Sequence, residues 1–323
     1  MSLFLAKRFA TLVATLLAAS ALIFALLEIL PGNAAQLQMG TEATPEAVAA
    51  LAEQLGLNRP AWQRYLHWLA GLAHLDMGLS HAYGTPVAEL VGERLALTVP
   101  LAVLAMALTT AIALSTGIYA AARHGRPGDM GVMLVSQLGI AVPSFWFAIL
   151  LILAFAVKLQ WVSAGGFPGW READGGGDGG FWPALQSLIL PALALAVVQA
   201  AILARITRSA MLEVLREDFM RTARAKGLSR RRALWGHALR NAMIPVLTVM
   251  GLQFANLLAG TIVVENVFYL PGLGRLIFQS IANRDLIVVR NCVLLLAVMV
   301  IVVNFVVDVL YAWVDPRIKT SEL

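Results

Sequence analysis

Six stretches of this chain are apolar over about 20 residues or more, and each is long enough to cross the roughly 30 Å hydrocarbon core of a membrane as a helix. The sequence has 323 residues, of which 59% are hydrophobic and only 13% are charged, whereas soluble domains carry about 25% charged residues. Both observations predict an all-α integral membrane protein, folded as a single transmembrane domain over residues 1–323. The six predicted spans are about 9–30, 97–121, 131–157, 184–204, 243–264 and 290–314.

The basic residues predict the orientation of these spans, because cytoplasmic segments of membrane proteins are enriched in Lys and Arg. An N-terminus inside the cell places 16 of the 24 basic residues in cytoplasmic segments. An even number of spans then puts both termini in the cytoplasm. Lys7 and Arg8 precede the first apolar stretch as in a signal peptide, but no clear cleavage site follows, so we expect an uncleaved first span.

Two connections are expected outside the cell. The loop 33–95 contains two helical patterns, one after Pro45 and one over residues 62–75, which predict an ordered helical loop after the first span. The segment 165–180 includes the run GGGDGG. No Lys-Ser or Lys-Thr follows these glycines, so this segment is not a phosphate-binding loop.

Prolines in the apolar stretches predict where the spans bend. Pro143 and Pro191 lie inside predicted spans and should kink them. Pro100 and Pro245 are expected in the first turn of their spans, where a missing N–H is harmless.

The motifs of an enzyme are missing from the sequence. There is no G-x-x-x-x-G-K-[ST] phosphate loop and no Cys/His cluster with metal-ligand spacing, so we expect no catalytic residue, metal or cofactor in this chain. Acidic residues are scarce in mid-span, which weakens an ion-coupled secondary carrier.

A basic cytoplasmic loop at residues 205–242 carries the clearest functional pattern. Its part from Arg205 to Arg240 has ten basic and three acidic residues. A helix with an apolar face, an i,i+4 pair of Glu217 with Arg221, a turn at Gly227 and a second short helix capped by Ser229 are predicted. The expected apolar face consists of Leu212, Leu215, Phe219 and Ala223. Such a helix pair fits either a groove on a cytoplasmic partner or anionic lipid headgroups; beside spans, the basic block does not indicate nucleic acid.

The stretch RTARAKGLS…HALRNAMIP in this loop resembles the cytoplasmic coupling loop of ABC-importer permeases, and more narrowly that of the dipeptide, oligopeptide and nickel permease class. Of the general E-A-A…G…I-x-L-P motif, only Ala223, Gly227 and Leu239 match, a departure shared by the peptide class. Other similar segments are LPGNAA at 30–35, with Asn33 where Asp is usual, and VPSFWFAILL at 142–151. The most specific are ENVFYLPGLGRLIFQSIANRD at 265–285 and NFVVDVLYAWVDPRIK at 304–319.

The resemblance implies a type I ABC-importer permease fold and a channel-forming subunit in a bacterial inner membrane. Its implied partners are a second homologous permease, two ATPase subunits that bind ATP and Mg, an extracytoplasmic binding protein and membrane lipid. The residues expected to contact the ATPase are Arg221, Thr222, Ala223, Arg224, Ala225, Lys226, Gly227, His237, Leu239 and Arg240. Those expected to receive the binding protein, together with loop 33–95, are Phe268, Pro271, Gly272, Gly274 and Arg275.

Three amides are expected to line the translocation path: Gln253, Asn256 and Asn304. Hydrogen bonds between helices are an equal alternative for each of them. The most favoured solute is a di- or oligopeptide, with a nickel chelate or glutathione as alternatives within the class. An ion-coupled carrier and a membrane scaffold without transport remain as rival functions.

Overall fold

The computed structural model describes residues 2–29, 44–54, 58–171 and 179–314, and over these ranges the chain is helical apart from turns and one isolated antiparallel bridge between Leu79 and Pro86. The prediction of an all-α protein is confirmed. The motif around Asn33, most of the glycine-rich run and the C-terminal residues 315–323 lie outside the described residues.

The helices follow one another along the chain without a repeat. In the described residues they are α1 Ser2–Ile29, α2 Pro45–Gln54, α3 Ala61–Ala73, α4 Val87–Ala122, α5 Pro127–Ala141, α6 Ser144–Leu151, α7 Phe181–Arg216, α8 Asp218–Ala225, α9 Arg230–Ala233, α10 Leu239–Val267, α11 Leu273–Ala282 and α12 Leu286–Val314. A π-helical segment, Ile152–Lys158, extends α6, and a second, Leu234–Ala238, joins α9 to α10.

Five of these helical stretches are long and apolar enough to cross a membrane. In the described part of the chain they are Ala6–Ile29, Val87–Ala122, Phe181–Arg216, Arg231–Val267 and Leu286–Val309. The predicted span at 131–157 is instead two helices, Pro127–Ala141 and Ser144–Lys158, bent by 102°. The described residues therefore contain five candidate spans, or six if the bent pair forms one.

Proline explains the bend but not every helix end. Pro143 precedes the first residue of α6, after Val142 leaves the helical conformation with ψ 122°, and Pro191 lies inside α7. Pro100 and Pro245 also lie inside helices, so their predicted first-turn positions were wrong. The apolar run marks the part of a helix suited to hydrocarbon, whereas the helix itself starts earlier in a more polar sequence.

One compact unit consists of the described residues from 99 to 270 and from 303 to 314. Helix α7 is at its centre and packs against α5, α6 and α10. Its buried face is rich in alanine, which lets neighbouring backbones approach closely. At Gly117 of α4, an added Cβ would lie 2.7 Å from the Ala204 carbonyl oxygen and 2.8 Å from the Thr207 Cβ.

The other compact unit consists of the described residues from 2 to 98 and from 271 to 302. Helices α1, α2, α3 and α11 belong to it. Its apolar core joins the start of α4, helix α11 and the start of α12. The buried members are Val87, Leu90, Val91, Leu273, Leu276, Ile277, Val288 and Cys292.

Candidate functional site

The predicted cytoplasmic loop folds as a short helix, a glycine turn and the entry into a long helix; residues 217–240 are called the coupling element below. Helix α7 continues through Leu212 and Leu215 and ends at Arg216, because Glu217 adopts an extended conformation with ψ 146°. Helix α8 then starts at Asp218. The predicted apolar face was thus assigned to one helix, but its residues belong to two.

Gly227 makes the turn after α8. Its φ is +88°, a left-handed conformation that a residue with a Cβ adopts at a cost of about 1–2 kcal/mol. The turn closes with backbone bonds from Gly227 N to the Arg224 carbonyl at 3.0 Å and from Leu228 N to the Ala223 carbonyl at 3.2 Å. The predicted sharp turn is confirmed, and its requirement for glycine comes from φ, since no other atom lies within 4 Å of an added Cβ.

Ser229 begins the next helix, as predicted from the sequence. Its hydroxyl accepts a hydrogen bond from Arg232 N at 3.4 Å, and its carbonyl accepts one from Ala233 N at 2.9 Å. The helix that follows does not stop near Arg240, because the π-helical segment leads directly into α10. The prediction of a separate second short helix was wrong: the coupling element connects to the next span without a break.

Met220 anchors α8 in the core of the first unit. It is only 3% exposed and packs in one cluster with Met211 near the end of α7, Leu234 of the π-helical segment and Val246 of α10. Phe219, predicted to be on the apolar face, is 42% exposed. Met220 therefore fixes α8 to the transmembrane helices.

The ion pair within α8 differs from the predicted one. Arg221 Nη1 lies 3.3 Å from Asp218 Oδ1, at i,i+3, with both side chains largely exposed. Glu217 precedes the helix and is not at a helical i,i+4 position. The chain leaves the helical conformation at this residue, which the pattern of charges does not reveal.

The ten residues predicted to contact the ATPase form an accessible surface. Ala223 and Leu239 are half-buried, and the other eight are exposed. The sequence did not single out Trp235, which is 53% exposed beside them. A tryptophan in a basic loop was the signal, because exposed aromatic residues are enriched where proteins bind partners.

The three amides predicted to line the path occupy different environments in the first unit. Gln253 is 2% exposed, and its Oε1 has no hydrogen-bond partner among the described residues. Asn304 is half-buried, with Oδ1 3.1 Å from where a Cβ on Gly251 would be. Asn256 is exposed. The structure brings none of these amides into a shared cluster.

Asn256 belongs to an exposed stripe along α10. Residues 248, 252, 256, 259 and 263 are all exposed and recur at three- or four-residue spacing, so they lie on one face of the helix. Two of them, Thr248 and Asn256, are polar. Polar groups in a span usually face protein or water rather than lipid, so this stripe is the part of α10 best suited to a path or a subunit contact.

The residues predicted to receive the binding protein are mostly covered. Phe268 is 2% exposed, and its carbonyl accepts a hydrogen bond from Gly166 N at 2.9 Å within the first unit. In the second unit, Gly272 and Gly274 are buried, whereas Pro271 and Arg275 are half-buried. Tyr269 lies in the same predicted turn from Phe268 to Arg275, was not singled out as a contact, and is 67% exposed.

Two buried polar side chains hold the loop before α4 in the second unit. Asp285 is 1% exposed; its Oδ2 accepts hydrogen bonds from Ser80 Oγ at 2.6 Å and Ala82 N at 3.1 Å, and its Oδ1 accepts one from Val288 N at 3.2 Å. The same carboxylate thus caps α12 and fixes the loop.

Asn291, further along α12, also binds residues of the loop before α4. It accepts a hydrogen bond from Trp68 Nε1 at 3.0 Å and donates to the Met77 carbonyl at 2.8 Å. The neighbouring Arg290 guanidinium lies 4.4 Å from the centre of the Trp68 ring, a cation–π contact. We call this group the loop lock; its members are Trp68, Met77, Ser80, Ala82, Asp285 and Asn291.

Comparison with known families agrees with this architecture over almost the whole chain. Residues 113–320 match the family described as the inner membrane component of binding-protein-dependent transport systems, and residues 1–102 match the N-terminal region of the same membrane component.

Named relatives are similar from end to end. The di/tripeptide transport system permease protein DppB of Pseudomonas aeruginosa is 41% identical over 98% of both chains. The dipeptide transport system permease protein DppB of Escherichia coli K12 is 39% identical, also over 98% of both. The protein of that name from Alkalihalophilus pseudofirmus is 39% identical over 97% of this chain and 98% of its own.

Among solved structures, a chain of the MetNI methionine ABC transporter in inward-facing conformations shares the fold, with a TM-score of 0.55 and 16% identity over 70% of this chain and 96% of that one. The family matches, the relatives and the apolar helices agree on one assignment. This chain belongs to the family of binding-protein-dependent transport system inner membrane components, and it is a multi-pass permease subunit of an ABC importer.

Proposed function

We propose that this permease subunit moves di- and oligopeptides across the inner membrane, driven by ATP hydrolysis in separate subunits. The observation that carries the solute class is the end-to-end similarity to three permeases named for dipeptide or di/tripeptide transport. Selectivity itself is assigned to the extracytoplasmic binding protein, because few polar groups are available along the spans.

The complex is proposed to contain a second, related permease subunit, two ATPase subunits and a binding protein. ATP and Mg are bound by the ATPase subunits, so this chain supplies no catalytic residue. The exposed stripe of α10 supports a second permease, because Thr248 and Asn256 would otherwise face lipid. Asn256 is the amide that we propose lines the path between the two subunits.

The coupling element is proposed to dock into a groove on the ATPase. Its exposed basic residues, Arg221, Arg224 and Lys226, suit an acidic rim, and Phe219 and Trp235 suit apolar pockets. Because Met220 anchors α8 in the core, a force that the ATPase applies to α8 reaches the transmembrane helices. Contact of the outer basic residues with lipid headgroups is compatible with this role.

On the other side of the membrane, the binding protein is proposed to dock on loop 33–95 and on the turn that carries Tyr269. The loop lock supports this, because it holds the part of the loop from Trp68 to Ala82 in one conformation. A preformed surface avoids the entropy cost of ordering a loop on contact.

Reconstitution tests the function directly. The chain is co-expressed with the permease, ATPase and binding protein encoded with it, and the purified complex is placed in proteoliposomes. Dipeptides or short oligopeptides with the binding protein are expected to stimulate ATP hydrolysis and to accumulate inside. Stimulation by a nickel chelate or glutathione alone would change the assigned solute to another one of the same permease class. Stimulation by a sugar alone would overturn the peptide proposal.

Coupling is tested in the same vesicles with Gly227→Pro. Loss of peptide uptake with the complex still assembled is expected, because proline cannot adopt a φ of +88°. Gly131→Ala is the matched control, since Gly131 is an exposed helical glycine with open space around an added Cβ. Uptake by the Gly227→Pro complex at the wild-type rate, or failure of the wild-type chain to co-purify with an ATPase, would contradict the coupling role.

A further inference from the structure

A buried carboxylate in the first turn of α5 forms a two-pronged ion pair with α7. Asp129 is 3% exposed. Arg208 donates to it twice, from Nε to Oδ1 at 2.6 Å and from Nη2 to Oδ2 at 2.7 Å. Paired parallel bonds of this kind fix the relative orientation of the two side chains as well as their distance.

The loop between α4 and α5 is folded around the same carboxylate. Gly125 N donates to Asp129 Oδ2 at 3.0 Å, and His124 Nδ1 lies 3.3 Å from the same oxygen. His124 Nδ1 is also 3.1 Å from Arg208 Nη2. Asp129 therefore ties together the end of α4, the start of α5 and one point on α7.

That point on α7 is close to the coupling element. Arg208 lies about two turns before the end of α7 at Arg216, after which Glu217 leads into α8. The preceding residue, Thr207, is in close contact with Gly117 of α4. Helix α7 carries Arg208 and packs closely on α4 at this level. A displacement of α8 that moves the end of α7 therefore also moves Arg208.

The other end of α5 is the break in the bent pair. Helix α5 ends at Ala141 and is followed by the 102° bend at Pro143. Near this end, Gly139 packs closely on Ala201, with an added Cβ 3.1 Å from that methyl carbon. Helix α5 thus contacts α7 near both of its ends, at Arg208 and at Ala201, and leads directly into the bend.

We infer that the Asp129–Arg208 pair is a positioning contact that carries movement of the coupling element into α5 and so to the bend at Pro143. Neither residue touches the ATPase or the solute in this account; the pair acts through α5. The inference rests on the proposed coupling function. It predicts that weakening this ion pair lowers transport while ATP hydrolysis continues.

The first test uses Asp129→Asn and Arg208→Lys in the complete complex in proteoliposomes. Each keeps part of the contact, so we expect the complex to fold, but each loses the paired charge-assisted bonds. The expected result is a fall of about tenfold in peptide taken up per ATP hydrolysed, the size of a typical coupling between sites, while binding-protein-stimulated hydrolysis stays within about twofold of wild type. Arg126→Gln removes an exposed charge from the same loop and is the matched control. Proportional losses of uptake and hydrolysis, or no loss of either, would overturn the inference.

A second measurement does not depend on the solute. Ala141 is exposed at the far end of α5, so an Ala141→Cys complex is labelled with a maleimide with and without ATP and vanadate; the native Cys292 is buried. Nucleotide is expected to change the labelling rate with the wild-type pair and not with Asp129→Asn. A change that persists in Asp129→Asn, or no change with the wild-type pair, contradicts the positioning role even if peptide transport is established. Failure of the peptide proposal would appear instead as wild-type vesicles that hydrolyse ATP without taking up peptide.

Discussion

The coupling element and the loop lock are both connections beside membrane helices, but they are held in opposite ways. The coupling element is anchored by apolar side chains, among them Met220 and Leu234, and most of its charged residues are exposed. The loop lock is anchored by two polar side chains, Asp285 and Asn291, that are almost fully buried. The coupling element leaves its polar groups exposed, whereas the loop lock pairs its polar groups in buried hydrogen bonds.

This difference shows what each connection can do. Exposed charges exchange water for a partner at little cost, so the coupling element suits repeated contact with a moving subunit. A buried hydrogen-bond network stabilises one conformation, because any alternative leaves polar groups without partners. The loop lock therefore suits a rigid platform, and its removal should affect folding before it affects transport.

The largest effect is expected at the centre of the loop lock. Asp285→Ala leaves the buried Ser80 hydroxyl without its acceptor, at a cost of about 1–3 kcal/mol, and also removes the acceptor of the Ala82 N–H and the cap of α12. We expect a loss of about 3–5 kcal/mol in the free energy of unfolding, measured by thermal unfolding of the purified complex. Ser80→Ala, which removes one of these donors, should cost clearly less, and equal losses would contradict the central role of the carboxylate.

The next effect is expected at the apolar anchor. Met220→Ala leaves a cavity in a packed cluster and should lower stability by about 2–4 kcal/mol. Phe219→Ala, one position earlier and 42% exposed, is the matched comparison and should cost less than about 1 kcal/mol. Thermal unfolding of both variants measures the difference, and a greater cost at Phe219 would mean that α8 packs through its other face.

A smaller effect is expected at the glycine turn. Gly227→Ala should cost about 1 kcal/mol in stability, because alanine is strained at a φ of +88°. Gly131→Ala, at an exposed position of α5, should instead be neutral or should stabilise the protein by up to about 1 kcal/mol. If both substitutions shift the unfolding temperature in the same direction, the left-handed turn is not what Gly227 provides.

The smallest effect is expected from the surface ion pair of the coupling element. Asp218→Asn removes the partner of Arg221, but both side chains are largely exposed, so stability should change by at most about 0.5 kcal/mol. The same measurement in high salt should erase even this difference, because salt screens exposed charges. A loss as large as that of Asp285→Ala would remove the contrast between the two connections.

Much of the architecture was readable from the chain alone. The apolar stretches located the helices, Pro143 located the bend, and Gly227 and Ser229 marked the turn and the next helix start. These features depend on properties of neighbouring residues, such as a run of apolar side chains or a missing N–H. The helix starts before Pro100 and Pro245 were missed, because a helix can extend well beyond its apolar part.

Contacts between distant residues were not readable in the same way. Asp285 is more than 200 positions from Ser80, and Asp129 is 79 positions from Arg208. In the sequence each is one acidic residue among many, and nothing nearby shows that it is buried or which group it meets. The pattern likewise assigned Phe219 to the apolar face, whereas the break at Glu217 turned Met220 inward.

The sequence by itself determined that this chain crosses a membrane several times and resembles an importer permease, since hydropathy and local motifs are properties of short segments. Only the tertiary structure decided which polar side chains form buried hydrogen bonds that stabilise the fold and which remain exposed to a partner. That distinction depends on burial, and burial is set by all the helices that pack around a residue rather than by the residue itself.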